Sequence, residues 1–154
     1  MLVFREYRAP SMEYEQAYCL RNEVLRIPLG LELSEADTEG EEDQIHIGAF
    51  VEDAIIGCVV VNMAGDAEAQ IRQMAVKPAH QGEGIGTKLV MRAEARCLEE
   101  GAERIFLNAR EDAVGFYSRM GYTVSSDRFE SHGIPHFEME KRASNTVPAG
   151  MPLI

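Results

Sequence analysis

The segment that most constrains the fold is Arg72-Gln73-Met74-Ala75-Val76-Lys77-Pro78-Ala79-His80-Gln81-Gly82-Glu83-Gly84-Ile85-Gly86-Thr87-Lys88. An extended run ends at Pro78, a glycine-rich loop covers Gln81 to Gly86, and an amphipathic pattern follows. Ile85, Leu89, Ala93 and Cys97 fall four apart with Val90 beside them, which predicts a helix to about Glu100. Glycines let successive backbone N–H groups converge without Cβ crowding. Together with the positive end of a helix, such groups make an anion site for which phosphate is the usual guest. Two familiar phosphate loops are excluded. Five residues after Gly82 stands Thr87 where a P-loop needs glycine, and Gly86 is followed by Thr87-Lys88 in the wrong order. Gly84 and Gly86 are followed by Leu89 where a dinucleotide loop needs its third glycine.

The elements around this loop read as mixed α and β. Leu2–Tyr7 predicts a strand. A helix follows, with Ser11 as N-cap, Glu13 and Glu15 in its first turn, and Ala17, Leu20, Val24 and Ile27 on one face, until Pro28 and Gly30 stop it. Leu31–Asp43 is acidic and predicts a solvated face or loop, with a short polar helix beginning at Ser34. Strands are expected at Ile45–Val51, Ala54–Met63 and Glu68–Lys77, with turns at Glu52-Asp53 and Ala64–Asp66. Beyond the helix, Gly101 is a C-terminal cap. Arg104–Ala109 is then a buried strand and Ala113–Met120 a short helix ended by Gly121. Tyr122–Ser126 and His136–Lys141 are strands joined by a loop containing Gly133 and Pro135. Antiparallel strands first and βα units later predict an α/β fold with one mixed central sheet of six to seven strands and about four helices. The division expected is one domain over residues 1–142 and an uncharged tail over 143–154, loose or packed on a neighbour.

Charge narrows the partners. The 154-residue chain carries a net charge of −11, with 26 acidic and 15 basic residues. No Lys or Arg lies between Ile27 and Ile71, and the acids of that stretch account for the whole excess. Nucleic acid and anionic membranes call for the opposite sign. The longest uncharged apolar stretch, Ala54–Gly65, falls short of the ~20 residues of a membrane helix. Cys19, Cys58 and Cys97 show no CxxC spacing and read as reduced, buried thiols of a cytoplasmic protein. His132 and His136 lie on a loop and strand rather than one helix face, and no H-E-x-x-H occurs, so no metal site is expected.

Gln81, Gly84 and Gly86 meet the pattern [QR]-x-x-G-x-[GA]. With Val76-Lys77-Pro78 upstream and the helix downstream, this resembles the acyl-CoA motif of the GCN5-related N-acetyltransferase (GNAT) superfamily. Asn108 near the end of the next strand and Phe116-Tyr117-Ser118-Arg119-Met120-Gly121-Tyr122, similar to the superfamily's F-Y-x-x-x-G-[FY] signature, extend the likeness over about Leu2 to Lys141. The resemblance implies the GNAT fold and a transfer of acetyl from acetyl-CoA, a cosubstrate, to a primary amine by direct attack in a ternary complex. It implies that pantetheine pairs with the backbone of Met74, Ala75 and Val76. The pyrophosphate would sit on Gln81, Gly82, Glu83, Gly84, Ile85, Gly86 and Thr87. Glu83 departs from the basic or amide side chain common in that loop and must point outward.

Further roles follow from the same likeness. Asn108 would bond the pantetheine amide or an ordered water, and Tyr117 would protonate the leaving thiolate. The general base is left open among Glu23, Glu32, Glu35 and His136. His80 is expected near the phosphates and His46 on a strand face. Lys77, Lys88 and Arg92 make the surroundings of the loop basic. The acidic Leu31–Asp43 stretch falls where the family's acceptor loops lie, which predicts a cationic acceptor. Two other readings stay open: a non-catalytic acyl-CoA sensor, and an acetyltransferase acting on protein N-termini or lysines. Homodimers are common in the family, and the apolar tail offers a surface for one.

Overall fold

Both faces of the uncharged run near the middle of the chain are covered, which makes it the centre of the sheet. In the computed structural model, which describes residues 1–143, this run is strand β3 (Ala54–Gly65). Val59 and Val61 face helix α3 (Ile85–Glu99) through Ile85, Leu89, Ala93 and Cys97. Cys58 faces the other way, toward Ala17 and Leu20 of helix α1 (Met12–Arg21). A strand buried on both sides loses the alternation of a half-exposed one and reads as a continuous apolar run.

The remaining strands are β1 (Leu2–Tyr7), β2 (Ile45–Val51), β4 (Glu68–Val76), β5 (Arg104–Arg110), β6 (Thr123–Val124), β7 (Phe129–Ser131) and β8 (Ile134–Arg142). They form one sheet in the order β1-β2-β3-β4-β5-β8-β6, and β7 also pairs with β8. Among the described residues only β4 and β5 run parallel; every other pairing there is antiparallel. Helices α2 (Glu35–Thr38) and α4 (Val114–Arg119) complete a set of four α-helices. The α/β architecture expected from the sequence is present. The eighth strand arises because the loop expected before His136 is a hairpin. His132 (φ +55°) and Gly133 (φ +79°) turn the chain, and Ser131 pairs with Ile134. No helix among the described residues is long and apolar enough to cross a membrane. Of the expected tail, residues 144–154 lie outside the described residues.

The first helix begins as expected: Ser11 Oγ accepts the Tyr14 N–H at 3.0 Å. It does not remain an α-helix to Ile27. A π-turn over Asn22–Arg26 and a 3-10 turn over Ile27–Leu29 rotate its face, leaving Ile27 56% exposed and burying Arg26. Cys58 and Cys97 are buried as expected, whereas Cys19 is exposed on α1.

The acidic segment is the main correction. Ser34 and Asp37 do form a capping box at the start of α2. Glu41, however, is no solvated carboxylate: it is 1% exposed. Arg21 donates Nη1–H to Glu41 Oε1 and Nη2–H to Oε2, both at 2.8 Å, and Tyr14 donates its hydroxyl at 2.6 Å. Arg72 adds a further ion pair, and the Glu41 carbonyl accepts from His46 Nε2 at 2.7 Å. His46, expected on a strand face, is thereby a buried member of this network. Burial alone would raise the Glu41 carboxyl, but its bonds to Arg21, Tyr14 and Arg72 outweigh this and hold it below the usual range. The count of acids alone gives no hint that two arginines distant in sequence converge on one of them.

A pair broken from one side leaves uncompensated buried charge. Glu41→Ala is therefore expected to lower stability by about 3–5 kcal/mol in urea unfolding. Because the folded-state value is depressed, the contribution of Glu41 is present above the unfolded carboxyl's pKa of about 4.3 and fades as pH falls below it. A variant as stable as the wild type at pH 7 would contradict the role assigned to the pair.

Candidate functional site

The parallel ladder between β4 and β5 is short. Glu68, Ala69 and Gln70 pair with Arg104, Ile105 and Phe106, and then the strands part. β5 stays paired with β8 along its whole length, so the opening lies entirely on its β4 side. A bulge re-aims β4 at this point. Cys58 pairs with Ala75 and Val60 with Arg72, so Gln73 and Met74 together oppose Val59. Gln73 takes φ +55°, in the left-handed region. Its Oε1 accepts from Arg21 Nε at 3.2 Å, which ties the bulge to the buried Glu41 pair. Among the described residues no strand lies between the facing edges of β4 and β5 beyond Gln70, and these carry backbone N–H and C=O groups. Such edges accept an extended, amide-bearing partner.

Next to this opening stands the glycine loop. Gly82 and Gly84 both have φ +82°, and Gly84 is the N-cap of α3. No side chain caps that end, so the first-turn N–H groups of Ile85, Gly86 and Thr87 are left as donors. Ile85 itself is a core residue packed near Gly57, so its contribution is its backbone. A Cβ on Gly86 would sit 3.6 Å from Met74, 3.8 Å from Phe116 and 3.9 Å from Val76, so β4, α3 and α4 converge there. Gln81 steadies the loop by donating from Nε2 to the Val76 carbonyl at 3.0 Å. Glu83 is exposed and hydrogen-bonded to His80 Nδ1 at 3.1 Å, so its carboxylate is engaged by that ring. Lys77 and Lys88 are exposed beside the loop. Arg92 instead lies over the Phe4 ring at 4.9 Å, on the far part of α3.

A cavity of about 400 Å³ fills the fork, and Met74, Asn108, Tyr117 and His136 all line it. Ala75 is buried on the α1 side and offers only backbone. The Tyr117 ring is fixed edge-on by Phe116 at 5.0 Å and Tyr122 at 5.9 Å. The Tyr122 hydroxyl is in turn donated to Glu94 at 2.8 Å. The Tyr117 hydroxyl bonds to no other described residue, and burial pushes its pKa up to about 12. His136 bonds through Nδ1 to the Ile134 carbonyl at 2.9 Å and stacks on Phe129. A carbonyl only accepts, so Nδ1 carries the proton and Nε2 is the basic nitrogen of the neutral ring. Glu23, Glu32 and Glu35 are exposed and none lines the cavity. Among the described residues no group of three or more His, Cys, Asp or Glu could hold a metal ion.

The far wall comes from residues the sequence did not single out. Arg26, Arg72 and Arg110 line the cavity, with Asp37 the one acidic side chain among the lining. Asp37 is held by Arg26 at 3.1 Å and by His132 Nε2 at 3.0 Å, tying α2 to the β7–β8 hairpin. The expectation of an acidic acceptor side is thereby corrected: ten of the eleven acids between Ile27 and Ile71 do not line the cavity. A usable signal was the slip in β4, where apolar Ala69 and Ile71 are followed by polar Arg72-Gln73 before Met74 and Ala75.

A family model described as an acetyltransferase (GNAT) domain matches residues 9–143. The Uncharacterized N-acetyltransferase YjcF of Bacillus subtilis is 29% identical over 134 residues, covering 84% of this chain and 92% of the relative. YyaT of the same organism is 30% identical over 116 residues, covering 75% of this chain and 77% of the relative. A putative N-acetyltransferase from Lactobacillus plantarum superposes with a TM-score of 0.82 at 21% identity, over 92% of this chain and 97% of that one.

Proposed function

The chain belongs to the GNAT acetyltransferase family, and we propose that it transfers acetyl from acetyl-CoA to a small primary amine by direct attack in a ternary complex. The parting of β4 and β5 beside an uncapped helix start carries this reading. On this reading the transferase domain is residues 1–142; the family model matches residues 9–143. Pantetheine, an extended amide chain, adds to the free edge of β4 at Met74, Ala75 and Val76, with Asn108 available from β5. The pyrophosphate is held by the backbone of Gln81 to Thr87, the side chain of Glu83 standing aside. A backbone N–H of the same strand polarises the thioester carbonyl and stabilises the tetrahedral oxyanion; removing one such donor costs about 3 kcal/mol of transition-state stabilisation. No cysteine lines the cavity among the described residues, which favours direct attack over an acyl-cysteine intermediate.

The amine reaches the thioester from the side of Asn108 and His136. His136 Nε2 takes the amine proton, and the carbonyl carbon passes from sulfur to nitrogen. Tyr117 supports the departing thiolate. Burial pushes its phenol up to about 12, so it stays protonated and stands as a donor. Its contribution is therefore a hydrogen bond to the developing sulfur anion, with solvent supplying the final proton. The tie between His132 and Asp37 joins the hairpin to α2 across lining residues of the cavity, which favours a small acceptor over a peptide lying in an open groove.

An amine panel with acetyl-CoA, read by free thiol release, tests the reading. Acceptor-dependent release is expected; acetyl-CoA binding with no release by any amine would mark a sensor instead. Tyr117→Phe removes the phenol donor and is expected to lower turnover about 10²-fold with acetyl-CoA affinity unchanged. An unchanged turnover would remove Tyr117 from the reaction. His136→Asn is expected to lose a similar factor near neutral pH and to recover as pH rises and the amine deprotonates unaided. A pH-independent deficit would speak for a structural role.

A further inference from the structure

The wall of the cavity opposite the glycine loop has the wrong sign for a cationic guest. Arg110, at the end of β5, reaches across the fork and donates from Nη2 to the Leu25 carbonyl at 2.7 Å. Arg26 donates from Nη1 to the same oxygen at 3.1 Å. Two guanidinium groups that share one carbonyl have nitrogens within about 6 Å of each other, and like charges so close repel unless an anion lies between them. Arg26 has Asp37 as its counter-charge. Arg110 has no carboxylate within ion-pair distance among the described residues; Asp112, the nearest acid to act on it, is exposed. The remaining N–H donors of Arg110 have no acceptor among the described residues. The third arginine, Arg72, shares Glu41 with Arg21, so that pair of cations faces a single carboxylate. The cluster thus holds four guanidinium groups against two carboxylates; one surplus charge sits with Arg21 and Arg72 at Glu41, and the other is on the lining side chain of Arg110.

We propose that the acceptor is an amine that also carries an oxyanion group, a carboxylate or a phosphate, and that Arg110 is its specificity-determining contact. This rests on the transferase reading above and specifies its substrate class. A guanidinium fork presents parallel N–H donors to two oxygens, geometry that both anions match. Held there, the anion relieves the repulsion between Arg110 and Arg26. Asn108, on the same face of β5 two residues earlier, then lies between the anion and the thioester.

The test uses matched acceptors with acetyl-CoA, compared at equal concentrations of free amine. Each α-amino acid is set against the amine left by its decarboxylation, and phosphoethanolamine against ethanolamine. The anionic member of at least one pair is expected to win by about tenfold to a hundredfold in kcat/KM, carried by KM. Which pair responds distinguishes carboxylate from phosphate. Arg110→Gln should abolish that preference, and Arg110→Lys, which keeps the charge but loses the fork, should retain part of it. Neutral amines used as well as their anionic partners in every pair would overturn the proposal, as would a preference that survives Arg110→Gln. If no amine releases CoA, the transferase reading fails, and the anion site is judged by binding alone. The Arg110 Nε–H resonance is then followed during titration with acetate and with inorganic phosphate: a saturable shift supports the site, and its absence overturns it.

Discussion

Two parallel strands that separate after three paired residues must leave main-chain donors and acceptors facing a gap. In a closed sheet these groups would bond to one another; here β4 and β5 keep their pairing only from Glu68 to Gln70 and from Arg104 to Phe106. Everything at the site is arranged around that gap. The glycine loop opens at one side of it with Phe116 and Tyr117 packed beside that loop, and the hairpin of β7 and β8 lines the other side. Unpaired backbone is costly when buried and useful when a ligand with its own amides can fill it.

The gap is held open from behind. The bulge at Gln73 and Met74 bends β4 away, and Gln73 is fixed by Arg21, which is itself clamped by Glu41. A buried ion pair adds little net stability compared with an apolar packing of the same volume. Its use here is directional: a bidentate guanidinium accepts one orientation of its partner, and that orientation sets where the bulge stands. The same network accounts for the charge pattern. A chain of net charge −11 lines its cavity with three arginines and one aspartate, because most of the acids are exposed and Glu41 is spent inside the fold.

Much of this was legible in the sequence. Gly82 and Gly84 followed by Leu89, Ala93 and Cys97 marked the loop and helix, since left-handed glycines and a four-residue period leave few other structures. Phe116-Tyr117 and Gly121 marked the second half of the site. The hairpin after Phe129 was missed because Pro135 suggested a loop, whereas at the β7–β8 edge a missing N–H is tolerated. The role of Glu41 was missed because a carboxylate within an acidic run looks solvated until its partners are known, and Arg21 and Arg72 lie 20 and 31 residues away. Arg110 carried no motif at all; its meaning comes from the π-turn after helix α1, whose Leu25 carbonyl it reaches across the cavity.

The central claim is that the exposed backbone of β4 and the uncapped start of α3 receive one ligand together. Backbone amide exchange with and without acetyl-CoA tests it most directly. Protection of the Met74 and Val76 amides together with those of Gly84 to Thr87, and no comparable change along β1 and β2, is the result the account predicts. Protection confined to other elements, with the β4 edge exchanging as fast as in the free protein, would contradict it.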